Sequence, residues 1–162
     1  MLSYLGVLVL SEKEKQEITA ESAHCATKAS ASVEALNIVQ HHRGWVSDEA
    51  VKEVAAVLDM TAGELDAVAT FYSFIFRRQV GRHVIIVCDS ISCWVTGYNP
   101  LLDVLKTSRG ISFGETTADK RFTLLPISCL GACDRAPAMM VDDDLYGPVT
   151  PEMMDEILKK YK

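Results

Sequence analysis

The chain has 162 residues, enough for one domain with a full core or for a compact domain beside a smaller helical one, and its patterning suits the second division. Its 16 basic and 22 acidic side chains leave a net charge of -6, a surface that repels phosphate backbones and anionic bilayers. Nucleic acid and direct membrane insertion are therefore not expected, and a protein or a small molecule is the expected partner.

Residues 1–10 form an apolar tail with no basic flank, no small-residue cleavage site and about half the length that spans a bilayer, so packing of this tail is expected and secretion is not. Residues 11–76 read as a helical bundle. Ser11-Glu12-Lys13-Glu14 and Thr61-Ala62-Gly63-Glu64 are capping boxes, in which a hydroxyl and a carboxylate satisfy orphan amides at a helix start. Ser47 before Asp48 and Glu49 marks a third start, followed by the apolar stripe Val51, Val54, Ala55 and Leu58. Leu65, Val68, Ala69 and Tyr72 repeat that stripe, and Gly44 is placed to end the helix through Ala35, Leu36, Ile38 and Val39.

Residues 77–82, with their arginines and Gly81, read as a junction, and from 83 the period changes. His83 to Val87 is a continuous β-branched run, the signature of a strand buried on both faces. Asn99-Pro100 predicts an N-cap and first helical position, leading Leu101, Leu102, Val104 and Leu105, with Cys93 on the approach. Arg121 to Ile127 is a second strand, making a parallel strand, helix, strand unit. Ala138 to Val141 and Leu145-Tyr146 bracket a hairpin turn at Asp142 to Asp144, and Thr150-Pro151 opens a last helix with Met154, Ile157, Leu158 and Tyr161 on one face. The expected class is α+β, with an N-terminal helical bundle followed by a thioredoxin-like domain over residues 83–162.

Four of the five cysteines form two pairs, Cys88-x4-Cys93 and Cys129-x3-Cys133, each at the carboxyl end of a parallel strand, where open α/β sheets place their sites. Four converging thiolates suit a tetrahedral zinc or a [2Fe-2S] cluster. The cluster is preferred. A zinc-stapled interaction module with no redox role stays open on spacing alone; a dithiol enzyme would need Cys-x2-Cys at the first strand's end, and unconnected thiols are seldom paired in this way. In Cys129-Leu130-Gly131-Ala132-Cys133 the glycine allows a backbone turn that aims amides at sulfur, and such hydrogen bonds tune a cluster's potential.

The segments Ser32 to Gln40, Val68 to Ser73, Gly81 to Val84, Cys88-Asp89-Ser90, Arg121 to Pro126 and Cys129 to Cys133 resemble the thioredoxin-like [2Fe-2S] subunit of bacterial respiratory complex I, the E-subunit family of NADH:quinone oxidoreductase. The resemblance runs from about Ser30 to Lys162. It implies that Cys88, Cys93, Cys129 and Cys133 ligate one [2Fe-2S] cluster, which exchanges single electrons with the flavin of a partner subunit. It also implies that FMN and NADH are held on that partner, and that the complex lies at the cytoplasmic face of the inner membrane. The equivalent small subunit of an NAD-linked formate dehydrogenase or hydrogenase uses the same module. Trp94 and Val95 depart from the family, where a polar or smaller aromatic residue is expected. No Gly-x-Gly-x-x-Gly follows a strand, so no NADH or flavin site and no catalytic residue of its own is expected in this chain.

Other residues receive plainer readings. Cys25 is expected in a helix as a small apolar residue, and His41 and His42 at a helix carboxyl end. Asp142 to Asp144 is expected to be a solvated turn rather than a cation site. Phe71 to Phe76 is expected to pack against the second domain rather than to form a partner patch, with Arg77 and Arg78 suiting an interface rim or a solvated linker equally.

Overall fold

The computed structural model describes residues 10–162 and divides into two compact units, Met1–Gln79 and Val80–Lys162. The first holds four helices, α1 (Glu12–Ala23), α2 (Ser32–Arg43), α3 (Asp48–Val57) and α4 (Ala62–Phe71). Both capping boxes form: the Ser11 and Thr61 hydroxyls accept from the Glu14 and Glu64 amides, and the glutamates reach back to the cap amides. Ser47 caps α3, and Gly44 ends α2 at φ 80°, a conformation that costs glycine nothing. Val51, Val54, Ala55, Leu58, Leu65 and Ala69 are buried with Ala35, Leu36 and Val39 in one core.

Three details of this unit differ from the sequence reading. Tyr72 leaves the α4 stripe because the chain turns extended there, and it is exposed together with Phe71 and Phe74, whereas Ile75 joins the helical core. Burial of the whole aromatic run therefore does not occur. Cys25 lies beyond the end of α1, not inside a helix, and packs half-buried against the core. Arg77 is not a solvated linker residue: its guanidinium donates to Asp48, to Asp66 and to the Val46 carbonyl. The predicted apolar tail lies outside the described residues except for Leu10, which is buried.

The second unit is built on a four-stranded sheet of β1 (His83–Cys88), β2 (Phe122–Ile127), β3 (Met139–Val141) and β4 (Asp144–Tyr146), in the order β2-β1-β3-β4. β1 and β2 are parallel, in register from His83 opposite Phe122 to Cys88 opposite Ile127. β3 runs antiparallel to β1 and to β4. Every residue of β1 after His83 is buried, as its unbroken apolar run requires.

Two helices connect β1 to β2, α5 (Ile91–Thr96) and α6 (Tyr98–Arg109). The second starts two residues earlier than Asn99-Pro100 implies, with Gly97 at the cap and Asn99 and Pro100 within its first turn. Leu101, Leu102 and Leu105 face a core shared with Ile85, Leu124 and Met139 and with Met154, Ile157 and Leu158 of α7 (Met154–Lys159).

The hairpin turn is not merely solvated. Asp142, at φ 51°, accepts the Val84 amide at 2.8 Å and pairs with His83 at 2.7 Å, while the Tyr161 hydroxyl donates to Asp144. Among the described residues no helix is long and apolar enough to cross a membrane.

Candidate cysteine-ligated centre

β1 delivers Cys88 as its last residue, and β2 ends two residues before Cys129, so the parallel register brings the first cysteine of each pair to the same edge of the sheet. Two backbone bonds hold that edge. The Cys88 amide donates to the Ala138 carbonyl at 3.2 Å, and the Asp89 amide to the Ile127 carbonyl at 3.0 Å. The second cysteine of each pair is set by a short helical turn. Cys93 sits in α5, and Cys133 opens the 3-10 turn Cys133–Arg135.

The thiols gather at this edge as two pairs. Cys88 and Cys93 belong to one buried cluster with Ala132 and Ala138, and Cys129 lies 4.0 Å from Cys133, sulfur to sulfur. Two thiolates on one tetrahedral metal at a metal–sulfur length of about 2.3 Å stand about 3.8 Å apart, so the second pair has the spacing of ligands on a shared iron. Among the described residues no three His, Cys, Asp or Glu side chains are grouped about one point to hold a single ion. A two-iron cluster asks instead for two pairs.

The pairs differ in environment. Cys88 and Cys93 are buried with Ala132 and Ala138, whereas Cys129 and Cys133 are exposed. Burial pushes the Cys93 thiol up, against an Ala138 backbone hydrogen bond that favours its thiolate. Cys129 is held below the ordinary thiol range, first by the Gly131 amide, which donates to its sulfur at 3.3 Å. Gly131 turns that amide by adopting φ 72°, as its place between the cysteines implies. A thiolate set with amide donors, a buried side and small neighbours fits an iron-sulfur cluster.

Sequence reasoning missed two features here. The whole of α5 was absent from it, and Cys93 lies within this helix rather than on the approach to the next. Ser90 occupies the N-cap position of α5 without capping it, and is the least of the groups that hold the Cys129 thiol down. A serine directly before a helix start was the only available signal, and it reads as a cap.

Residues 16–162 match the model of the thioredoxin-like [2Fe-2S] ferredoxin family. The chain is 49% identical over 153 residues to the E subunit of NADH-quinone oxidoreductase from Pseudomonas aeruginosa, across 94% of this chain and 92% of that one. It is 48% identical over 153 residues to the protein of the same name from Escherichia coli K12, with the same two shares of 94% and 92%. The likeness therefore begins well before Ser30, where the sequence motifs alone placed it. Among solved structures the chain resembles part of an NAD+-reducing [NiFe]-hydrogenase in the air-oxidised state, with a TM-score of 0.69 and 25% identity, over 81% of this chain and 22% of that one.

Proposed function

We propose, from the premise that the chain belongs to the thioredoxin-like [2Fe-2S] ferredoxin family and within it to the E subunits of NADH-quinone oxidoreductase, that Cys88, Cys93, Cys129 and Cys133 ligate its one [2Fe-2S] cluster. When bound, the cluster supplies reversible one-electron chemistry. The observation that carries the assignment is the meeting of two cysteine pairs at one sheet edge, Cys88 and Cys93 in one buried cluster and Cys129 4.0 Å from Cys133. The chain's own work is to hold four thiolates, to keep water from the buried pair, and to aim the Gly131 and Ala138 amides at sulfur, which favours the reduced, more negative state.

The protein works by exchanging single electrons with the flavin of a partner subunit that also binds NADH, at the cytoplasmic face of the membrane that carries the complex. Exposure of Cys129 and Cys133 supports this reading, because it leaves one side of the centre within reach of another protein. The corresponding part of an NAD-linked hydrogenase is the second reading, favoured by the TM-score of 0.69; near-half identity over almost the whole chain favours the first.

Iron and acid-labile sulfide analysis with low-temperature EPR tests the assignment. About two irons and two sulfides per chain are expected, with a rhombic signal only after dithionite, lost when any one of the four cysteines is replaced by alanine. A colourless chain holding one zinc, unfolded by chelators, would overturn it in favour of the interaction module.

A further inference from the structure

The two cysteine pairs differ in how firmly the fold holds them as well as in exposure. Cys88 is the last residue of β1, where its amide donates to the Ala138 carbonyl at 3.2 Å, and Cys93 lies inside α5; they are 3% and 1% exposed. Neither sulfur can move far without disturbing a strand or a helix. Cys129 follows β2 in neither helix nor strand, and Cys133 opens a single 3-10 turn.

The segment between Cys129 and Cys133 leaves them free to close on each other. Gly131 sits at φ 72° with no atom within 4 Å of where its Cβ would be, so nothing crowds the loop on that side. The two sulfurs stand 4.0 Å apart, against about 2.05 Å in a disulfide, a gap of the size that side-chain rotation closes. Both residues are exposed, so a dissolved oxidant reaches this pair and not the buried one.

We infer that Cys129 and Cys133 form a reversible redox switch on cluster assembly: in the cluster-free chain a low-molecular-weight disulfide of the glutathione class oxidises them to a disulfide, which keeps the cluster out until a thiol reduces it. This rests on the reading that these cysteines are cluster ligands.

The exchange has two steps. One thiolate of the pair attacks a sulfur of the small disulfide, whose S–S bond breaks as a mixed disulfide forms and one small thiol leaves. The other thiolate then attacks the protein sulfur of that mixed disulfide, so that the Cys129–Cys133 bond forms and the second small thiol leaves. Two electrons pass from the protein sulfurs to the small disulfide, which departs as two thiols carrying the two protons that the cysteines gave up. A disulfide sulfur is no longer a thiolate ligand, and the buried pair alone cannot complete the coordination of two irons. The same bond shelters the exposed sulfurs from sulfinic and sulfonic acids, which small thiols do not reverse.

The test uses the full chain carrying Cys25→Ser, which removes the one cysteine outside the two pairs. A chelator strips iron from the loaded chain, either with a thiol reductant or with glutathione disulfide, and circular dichroism follows the fold. Remaining thiols are alkylated and mapped by mass spectrometry. Oxidation is expected to consume two thiols, joined as Cys129–Cys133, with Cys88 and Cys93 alkylated only after urea is added. The oxidised chain is expected to take up less than about a tenth of the iron and sulfide that the reduced chain takes up, and a dithiol to restore loading. With Cys133→Ser, Cys129 should stop at the mixed disulfide with glutathione; with Cys88→Ser, the Cys129–Cys133 bond should form unchanged. Oxidation in urea shows the pairing of an unfolded chain, where both pairs are free to close.

Thiols of Cys129 and Cys133 that survive glutathione disulfide overturn the inference. So does a mixture of Cys88–Cys93 and Cys129–Cys133 bonds like that made in urea, or a Cys129–Cys133 disulfide that loads iron as fully as the reduced chain. A reduced, folded chain that takes up no iron and sulfide refutes the functional reading itself.

Discussion

Glu14 shows how much one carboxylate can carry. It is only 2% exposed, accepts from the Ser11 amide and hydroxyl at the cap of its own helix, and lies against the Arg43 guanidinium at 2.6 Å. That guanidinium, ahead of the Ser11 bonds, holds its carboxyl down at about 2 against burial, which pushes the other way. A carboxyl lowered on folding stabilises the fold above its unfolded value and loses that contribution as pH falls through its folded one. The window is therefore from about pH 5 down to about pH 2. Glu14→Gln is expected to cost on the order of 2 kcal/mol at pH 7 and to flatten the acid side of the helical unit's stability curve, measured by urea unfolding from pH 7 to 3. Equal acid sensitivity in wild type and variant would show that other groups govern it. The capping box was legible in the sequence because its two partners are three residues apart. Arg43 was not, because a pairing across 29 residues leaves no local trace.

At the scale of elements, legibility followed length and the side that is buried. β1 reads as a strand because a run buried on both faces must be apolar throughout, and α3 reads as a helix because its stripe faces a core. α5 has six residues, less than two turns, and its apolar stripe points outward around a single buried cysteine, so a search for inward amphipathicity passes over it. The end of the hairpin has a tighter role than its sequence suggests. A Cβ on Gly147 would meet the carbonyl of Arg135, inside the turn that Cys133 opens, far within van der Waals contact. Gly147→Ala is therefore expected to displace that turn, destabilise the unit by about 1–3 kcal/mol and lower retained iron to less than half of wild type. Gly110→Ala, at the left-handed end of α6 where a Cβ meets open space, should cost about 1 kcal/mol and leave iron content unchanged. Iron analysis after gel filtration, with thermal unfolding of both variants, separates a steric effect on Cys133 from ordinary backbone strain.

Across the whole molecule, the two units hold separate cores. The helical core runs from Leu10 to Ile75, while the sheet packs α6 and α7 around Ile85, Leu124 and Met139. All four candidate ligands belong to the second unit, which joins Cys88, Cys93, Ala132 and Ala138 into a small apolar cluster of its own. A ligand that binds only the folded form stabilises that form by mass action, and the stabilisation falls on the unit whose unfolding would release it. Removing the cluster should therefore lower the melting temperature of residues 80–162 and leave that of the helical unit in place. Circular dichroism at 222 nm follows mostly the helical unit, and the near-ultraviolet signal at Trp94 reports the other, since the second tryptophan, Trp45, lies in the first unit. In a Trp45→Phe background the near-ultraviolet transition of the cluster-free chain is expected at least about 10 °C below that of the loaded chain, with the far-ultraviolet transition moving by less than about 3 °C. Coincident transitions that shift together would mean that the cores unfold as one, so that loss of iron from the sheet edge would cost the complex the helical unit as well.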